Sequence, residues 1–104
     1  QFYWNRLRNA ERVSSPMLHY VEARMHLFRK EYKKSLREVV KIVALYPRDR
    51  EWMAPALYLK AEIYLNTGSM AQAEQVVQEL KWSYPDSEWM RKAMALLQST
   101  KKEG

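Results

Sequence analysis

The sequence contains no cysteine, and that one absence removes disulfide frameworks, thiolate zinc sites and cysteine nucleophiles together. It leaves the redox compartment open. Glycine and proline are scarce, two and four among 104 residues, so the chain reads as helical. No apolar run approaches the roughly 20 residues that a membrane-crossing helix needs, and the opening "QFYWNRLRNAER" lacks the apolar centre of a signal peptide. The first residue is not Met, which fits a mature product or an excised piece.

What is present points to a small folded domain. An apolar fraction of 47% with four Trp and seven Tyr belongs to globular rather than disordered chains. This length suits a single domain that buries about two thirds of its unfolded surface. The net charge of +6 is unevenly placed: residues 1–50 carry twelve Lys and Arg against five acidic residues, and residues 51–104 carry six against seven. The basicity belongs to the first half.

Apolar residues recur at helical spacing, and no segment alternates with the period of two expected of a half-buried strand. Five helices are predicted. "SSP" opens the first, with a Ser cap and Pro at the first helical position. Leu18, Val21, Met25 and Phe28 form its expected inner face with Ala23 beside them, and it should run to about Lys30. The second spans about Tyr32 to Tyr46, with Leu36, Val39, Val40 and Val43 inward, and Pro47 stops it. Asp49 caps the third; Pro55 inside it predicts a loose first turn, and Gly68 ends it. The fourth, Met70 to Tyr84, turns Ala73, Val76, Val77 and Leu80 inward. Asp86 or Ser87 caps the fifth, whose apolar face is Met90, Ala93, Met94 and Leu97, and "STKKEG" is expected to fray.

The stretch "YPRDREWMAPAL" is echoed by "YPDSEWMRKAM", with Pro47 and Pro85 separated by 38 residues and the Glu-Trp pairs by 37. Under that shift the second helix matches the fourth and the first matches the third, so each unit is a helical hairpin, turned by "RKEY" in one and "NTGS" in the other. Such a unit resembles the tetratricopeptide repeat, whose period is about 34 residues and whose signature is sparse. The resemblance rests on Leu57, Ala61, Tyr64, Gly68, Ala73 and Pro85 in the second unit, and on Ala23, Tyr32 and Pro47 in the first. There His26 stands for the usual Tyr and Ser35 for the usual Ala, as in a divergent copy. The likeness spans about residues 16–98. "YPDS" at a hairpin boundary is also similar to repeats of bacterial envelope proteins, of the outer-membrane assembly lipoprotein and Tol-Pal coordinator type.

The resemblance implies an all-α stack of hairpins forming a short α-solenoid, with hairpins over 16–46 and 50–84 and a capping helix over 87–99; residues 1–14, with Phe2, Tyr3, Leu7 and Val13, read from their own pattern as the remnant of a preceding helix. It further implies a concave face, lined by the first helix of each hairpin, that binds a partner peptide or helix. The corresponding positions are Tyr20, Arg24 and Leu27, then Tyr58, Glu62 and Leu65, then Lys92 and Ser99. The family's Lys, Asn and Arg grip on a terminal carboxylate is absent, so chaperone-tail recognition is not implied. Trp52 and Trp89 read as cover for the joints between hairpins, and Trp4 as part of a surface that another helix once covered.

Two other readings come from the residues alone. Lys30, Lys34, Arg37 and Lys41 follow at three- and four-residue spacing and predict a basic stripe on the outer face of the second helix. Such a stripe can dock nucleic acid or an anionic surface, although Glu31 and Glu38 interrupt it and no aromatic lies within it to stack bases, as in an ordinary solvated face. Alternatively the piece is architectural, part of a longer solenoid that associates through its ends, with Phe2, Trp4 and Leu97 exposed there. His19, Glu22 and His26 share a helix face, but with only two His in the chain and no further ligand nearby, no metal is expected. No nucleophile-base pair, phosphate loop or paired-carboxylate pocket is found, so neither enzyme nor cofactor is expected.

Overall fold

Ser15 caps the helix that follows it: its Oγ accepts the Leu18 amide at 3.4 Å, and Pro16 stands at the first helical position. The computed structural model describes residues 15–103. The expected N-terminal helix remnant, Phe2 and Trp4 lie outside the described residues. Among the described residues five helices follow one another: α1 Pro16–Phe28, α2 Tyr32–Leu45, α3 Arg50–Asn66, α4 Met70–Ser83 and α5 Glu88–Glu103. No strand occurs among the described residues, and the fold is all-α.

α1 packs on α2 and α3 packs on α4, each pair a hairpin, and α3 also touches α1, α2 and α5. The two hairpins repeat each other down to single hydrogen bonds at a shift of 38 residues. In the first turn the Glu31 amide reaches His26 O at 2.8 Å; in the second the Ser69 amide reaches Tyr64 O at 2.8 Å. Both turns contain one residue in the left-handed region, Lys30 at φ 63° and Gly68 at φ 77°. Glycine is at ease there and lysine is not. Both second helices close alike, through Tyr46 N to Ile42 O and Tyr84 N to Leu80 O, each 2.8 Å.

The core repeats as well. One cluster joins Ala23, Val39 and Ile42 to Ala56, Leu59 and Ile63 of α3. The other joins Ala61, Val77 and Leu80 to Ala93 of α5, with Met53, Ala54, Leu57 and Val76. Ala23 and Ala61 are both fully buried, which lets the helices of each hairpin cross closely. Ser35, where the second hairpin has Ala73, is also fully buried, and its Oγ donates to the Ala23 carbonyl at 2.7 Å. That bond satisfies a hydroxyl that would otherwise cost stability.

Several expectations are corrected. α1 buries His19 and Ala23, while Val21, Met25 and Phe28 of its expected inner face are exposed, Phe28 to 90%. Periodicity marks two faces on this helix, and the packed one is the mixed one. α1 also ends at Phe28, so Lys30 lies in the turn and not on α2. On α2, Val40 is exposed and Ile42 takes the core. α3 is continuous from Arg50 through Pro55, without a separate loose turn. The carbonyl that Pro55 leaves unbonded belongs to Glu51, an exposed residue whose oxygen water can serve. α5 does not fray at Ser99 but runs to Glu103, tied down by Lys101 Nζ to Glu74 Oε2 at 2.8 Å. The four inner residues expected of α4 are all buried. Asp49 and Ser87 cap α3 and α5, through Asp49 Oδ1 to the Glu51 and Trp52 amides and Ser87 Oγ to the Met90 amide.

Candidate functional site

The Glu-Trp pairs after each hairpin boundary start the site. Asp49 fixes the first turn of α3 through the Trp52 amide, and Trp52 then packs on Tyr20 of α1, ring centroids 5.5 Å apart and tilted by 50°. The same contact recurs one unit later: Ser87 caps α5, and Trp89 meets Tyr58 of α3 at 5.5 Å and 50°. Tilted pairs at this distance add about 0.5–1.5 kcal/mol beyond area burial. Each Trp therefore both covers a joint and supports a Tyr on the face shared by α1, α3 and α5.

Charged groups connect the two aromatic pairs. Arg24 Nη1 donates to Glu62 Oε1 at 2.7 Å, joining α1 to α3, and the Arg24 guanidinium stands 6.0 Å from the Tyr20 ring centre. Lys92 Nζ lies 4.6 Å from the centre of the Trp89 ring. Glu62 lies one turn after Tyr58 on α3, so Trp52, Tyr20, Arg24, Glu62, Tyr58, Trp89 and Lys92 form a ladder across three helices.

The electrostatics agree with that grouping. Burial pushes the Tyr20 hydroxyl above its ordinary pKa of 10.0, with Arg24 opposing and Glu62 and Tyr58 adding to the rise. Tyr58 is likewise raised, by burial first and Glu62 second. Burial acts to lower Arg24, and the Glu62 carboxylate outweighs it, so the guanidinium is held charged more firmly than in water. Both phenols stay protonated at neutral pH and can donate to a ligand's carbonyl or carboxylate.

Of the positions expected on this face, Arg24 touches both Tyr20 and Glu62, Tyr58 shares their electrostatic environment one turn before Glu62 on α3, and Lys92 joins Tyr58 through Trp89. Leu27 sits nearby in an open cleft of about 550 Å³ with Arg24, Met25, Phe28 and Glu62. Leu65 is half-buried and Ser99 exposed, and neither takes part in the ladder. Trp52 and Trp89 are expected chiefly as joint cover, with interface anchors as the other reading; their recurrence beside a Tyr 31 to 32 residues earlier is the signal that links them to the ladder.

The other expected groups are dispersed. Lys34 pairs with Glu31 at 3.8 Å and Lys41 with Glu38 at 3.1 Å, so half of the basic stripe is partly neutralised, and Lys30 stands apart in the turn. His19 and His26 each engage a different carboxylate through Nδ1, Glu38 and Glu31 respectively, both at 2.8 Å. Among the described residues no group of three or more His, Asp or Glu is placed to hold a metal. No described helix is long and apolar enough to cross a membrane.

No family model matches the chain, and comparison with curated proteins and with solved structures yields no match.

Proposed function

We propose that this chain is a non-enzymatic interaction module of the tetratricopeptide type, which binds a partner peptide or helix on the face formed by α1, α3 and α5. The observation that carries the reading is the ladder. Its tilted Tyr-Trp pairs recur with one geometry at both joints, and the Arg24–Glu62 pair lies between them. Rigid aromatic surface with few rotamers to freeze, flanked by cations and a carboxylate, is the composition of a peptide-binding face. Tyr20 and Tyr58 supply apolar area and a hydroxyl donor; Arg24 and Lys92 supply charge; Glu62 orients Arg24. The hairpin-boundary resemblance to bacterial envelope repeats suggests an envelope protein as the setting.

A random peptide library selected against the full chain tests the reading. Selected peptides should lose at least tenfold in affinity to Tyr58→Ala and Arg24→Ala, and should tolerate Lys34→Glu with Arg37→Glu. Selection of only polyanions, released by moderate salt and by the Lys34/Arg37 pair of substitutions, would sink it in favour of an anion-binding surface.

A further inference from the structure

We infer that the peptide taken by the ladder is a proline-rich segment in the polyproline II conformation, with prolines three residues apart lying on successive Tyr-Trp pairs. The inference rests on the reading of the ladder as a peptide-binding face and narrows it to one class of ligand. Free donors carry it. The Tyr20 and Tyr58 hydroxyls and the Trp52 and Trp89 indole N–H groups have no hydrogen-bond partner among the described residues. All four side chains are half-buried, and the one buried side-chain polar atom left without a partner among the described residues is His19 Nε2, so these four donors are open to solvent. Arg24 and Lys92 add donors only. The ladder's one carboxylate, Glu62, already accepts from Arg24 at 2.7 Å, and Glu88 beside it pairs with Lys92 at 3.4 Å.

A face of this kind calls for carbonyl oxygens and offers little to amide hydrogens. An α-helix has bonded most of its carbonyls to its own amides. An extended peptide of ordinary residues brings one N–H for every carbonyl, and each N–H left unbonded against the face costs stability. Proline keeps the carbonyl and has no N–H, and the polyproline II helix makes no internal hydrogen bonds, so its carbonyls stay available. Its backbone is also preformed, and it docks on aromatic-lined grooves. The two Tyr-Trp pairs supply such walls, each with ring centroids 5.5 Å apart and planes inclined at 50°.

Spacing agrees with donor chemistry. Tyr20 and Tyr58 are equivalent under the 38-residue shift and stand on α1 and α3, which pack together and are tied by Arg24 and Glu62. Equivalent positions on packed neighbouring helices lie about 8–10 Å apart. Polyproline II rises about 3.1 Å per residue and returns to the same face every three residues, a period of about 9 Å. A β-strand returns to the same face after about 6.6 Å, which does not match one pair to the next.

The probe is an end-blocked peptide of four Pro-Ala-Gln triplets, and the control has the same composition with its prolines spaced alternately by two and four residues. Titrated into the ¹⁵N-labelled full chain, the triplet peptide should shift the indole N–H signals of Trp52 and Trp89 and leave that of Trp82, which is exposed on α4 away from the ladder, in place. The control should bind at least fivefold more weakly. Trp52→Phe and Trp89→Phe, which keep a ring and remove the N–H, should each weaken binding roughly fivefold, as expected for one hydrogen bond. Trp82→Phe should leave binding unchanged. Circular dichroism checks the fold of each variant, and the indole signals of the unaltered chain decide the matter even where a variant folds poorly. Equal binding of the two peptides, a shift at Trp82 without one at Trp52 and Trp89, or indifference to both indole substitutions overturns the inference. If proline-free peptides selected from a library bind in a manner lost in Tyr58→Ala while the triplet peptide does not bind, the inference fails and the peptide-binding reading stands. If no peptide of either kind responds to Tyr58→Ala, both fail.

Discussion

His19 and Glu38 meet through a 2.8 Å hydrogen bond at the positions that Leu57 and Val76 hold in the second hairpin. The exchange is paired: both apolar partners are replaced together by ionisable ones, and both replacements are nearly as buried as the originals. Glu38 also binds Lys41 at 3.1 Å, whereas His19 Nε2 is buried without a partner. The first hairpin is thus held by a polar contact where the second uses an apolar one.

Removing one partner should cost more than removing both. His19→Leu alone leaves a largely buried carboxylate with only Lys41, and should destabilise the fold by about 1–3 kcal/mol. His19→Leu with Glu38→Val restores the pattern of the second hairpin and should be neutral or stabilising. Urea denaturation of the two single variants and the double variant measures this. A double variant that simply sums the two single losses would show that the pair is not a unit.

Acid should weaken the same hairpin. For Glu38, burial pulls the pKa upward, but the hydrogen bonds from His19 and Lys41 outweigh it and hold the carboxyl below its ordinary 4.5. Glu31 is also lowered, chiefly by its hydrogen bond with His26. A depressed carboxylate contributes stability that is complete above its unfolded pKa and is lost as pH falls through its folded one. Urea midpoints should therefore be level above about pH 5 and decline below it. The His19→Leu, Glu38→Val double variant should show a shallower decline. An unchanged acid slope in that variant would remove Glu38 as its cause.

The caps and the second turn were legible in the sequence, because Ser15, Asp49, Ser87 and Gly68 act on backbone groups within a few residues. α4 was legible because its apolar residues form one narrow line, all of it buried. α1 was not, since Val21, Met25 and Phe28 make the more apolar line yet are exposed, and what is packed is His19, Ala23 and the half-buried Leu27. Which of two faces meets a neighbour depends on the position of α3, and local periodicity holds no information about that. The extension of α5 past Ser99 has the same origin, a pair between Lys101 and Glu74 set by tertiary structure. For the ladder, the repeat placed Tyr20 and Tyr58 in equivalent positions, but the support from Trp52 and Trp89 depends on a contact between successive units.

The two turns differ in one testable respect. Lys30 holds φ 63° where its counterpart Gly68 holds φ 77°. A left-handed conformation costs a residue with Cβ roughly 1–2 kcal/mol, partly offset by the greater freedom of glycine in the unfolded chain. Lys30→Gly should therefore stabilise the protein by about 0.5–1 kcal/mol, and Gly68→Ala should destabilise it by a similar amount even though a Cβ there would meet nothing within 4 Å. Thermal melts of both variants decide the matter, and stabilisation by Gly68→Ala would contradict the strain argument.

The Arg24–Glu62 pair separates stability from recognition. Its side chains are 44% and 23% exposed, and an ion pair so placed contributes only about 0.2–1 kcal/mol. Glu62→Gln should therefore leave the urea midpoint almost unchanged while releasing Arg24 from its fixed orientation beside Tyr20. Any peptide selected against the ladder should then bind several-fold more weakly to the variant. The loss should shrink as salt is raised, since the ionic part of Arg24's contact with the ligand is screened over about 10 Å at 0.1 M. Tyr58→Phe, which keeps the ring against Trp89 and removes the hydroxyl, distinguishes the two parts of the site. Binding preserved in Tyr58→Phe but lost in Tyr58→Ala assigns the affinity to the aromatic surface, and equal loss in both assigns it to the phenol as donor. If neither Glu62→Gln nor either Tyr58 variant altered binding, the ladder would be reduced to a joint between hairpins.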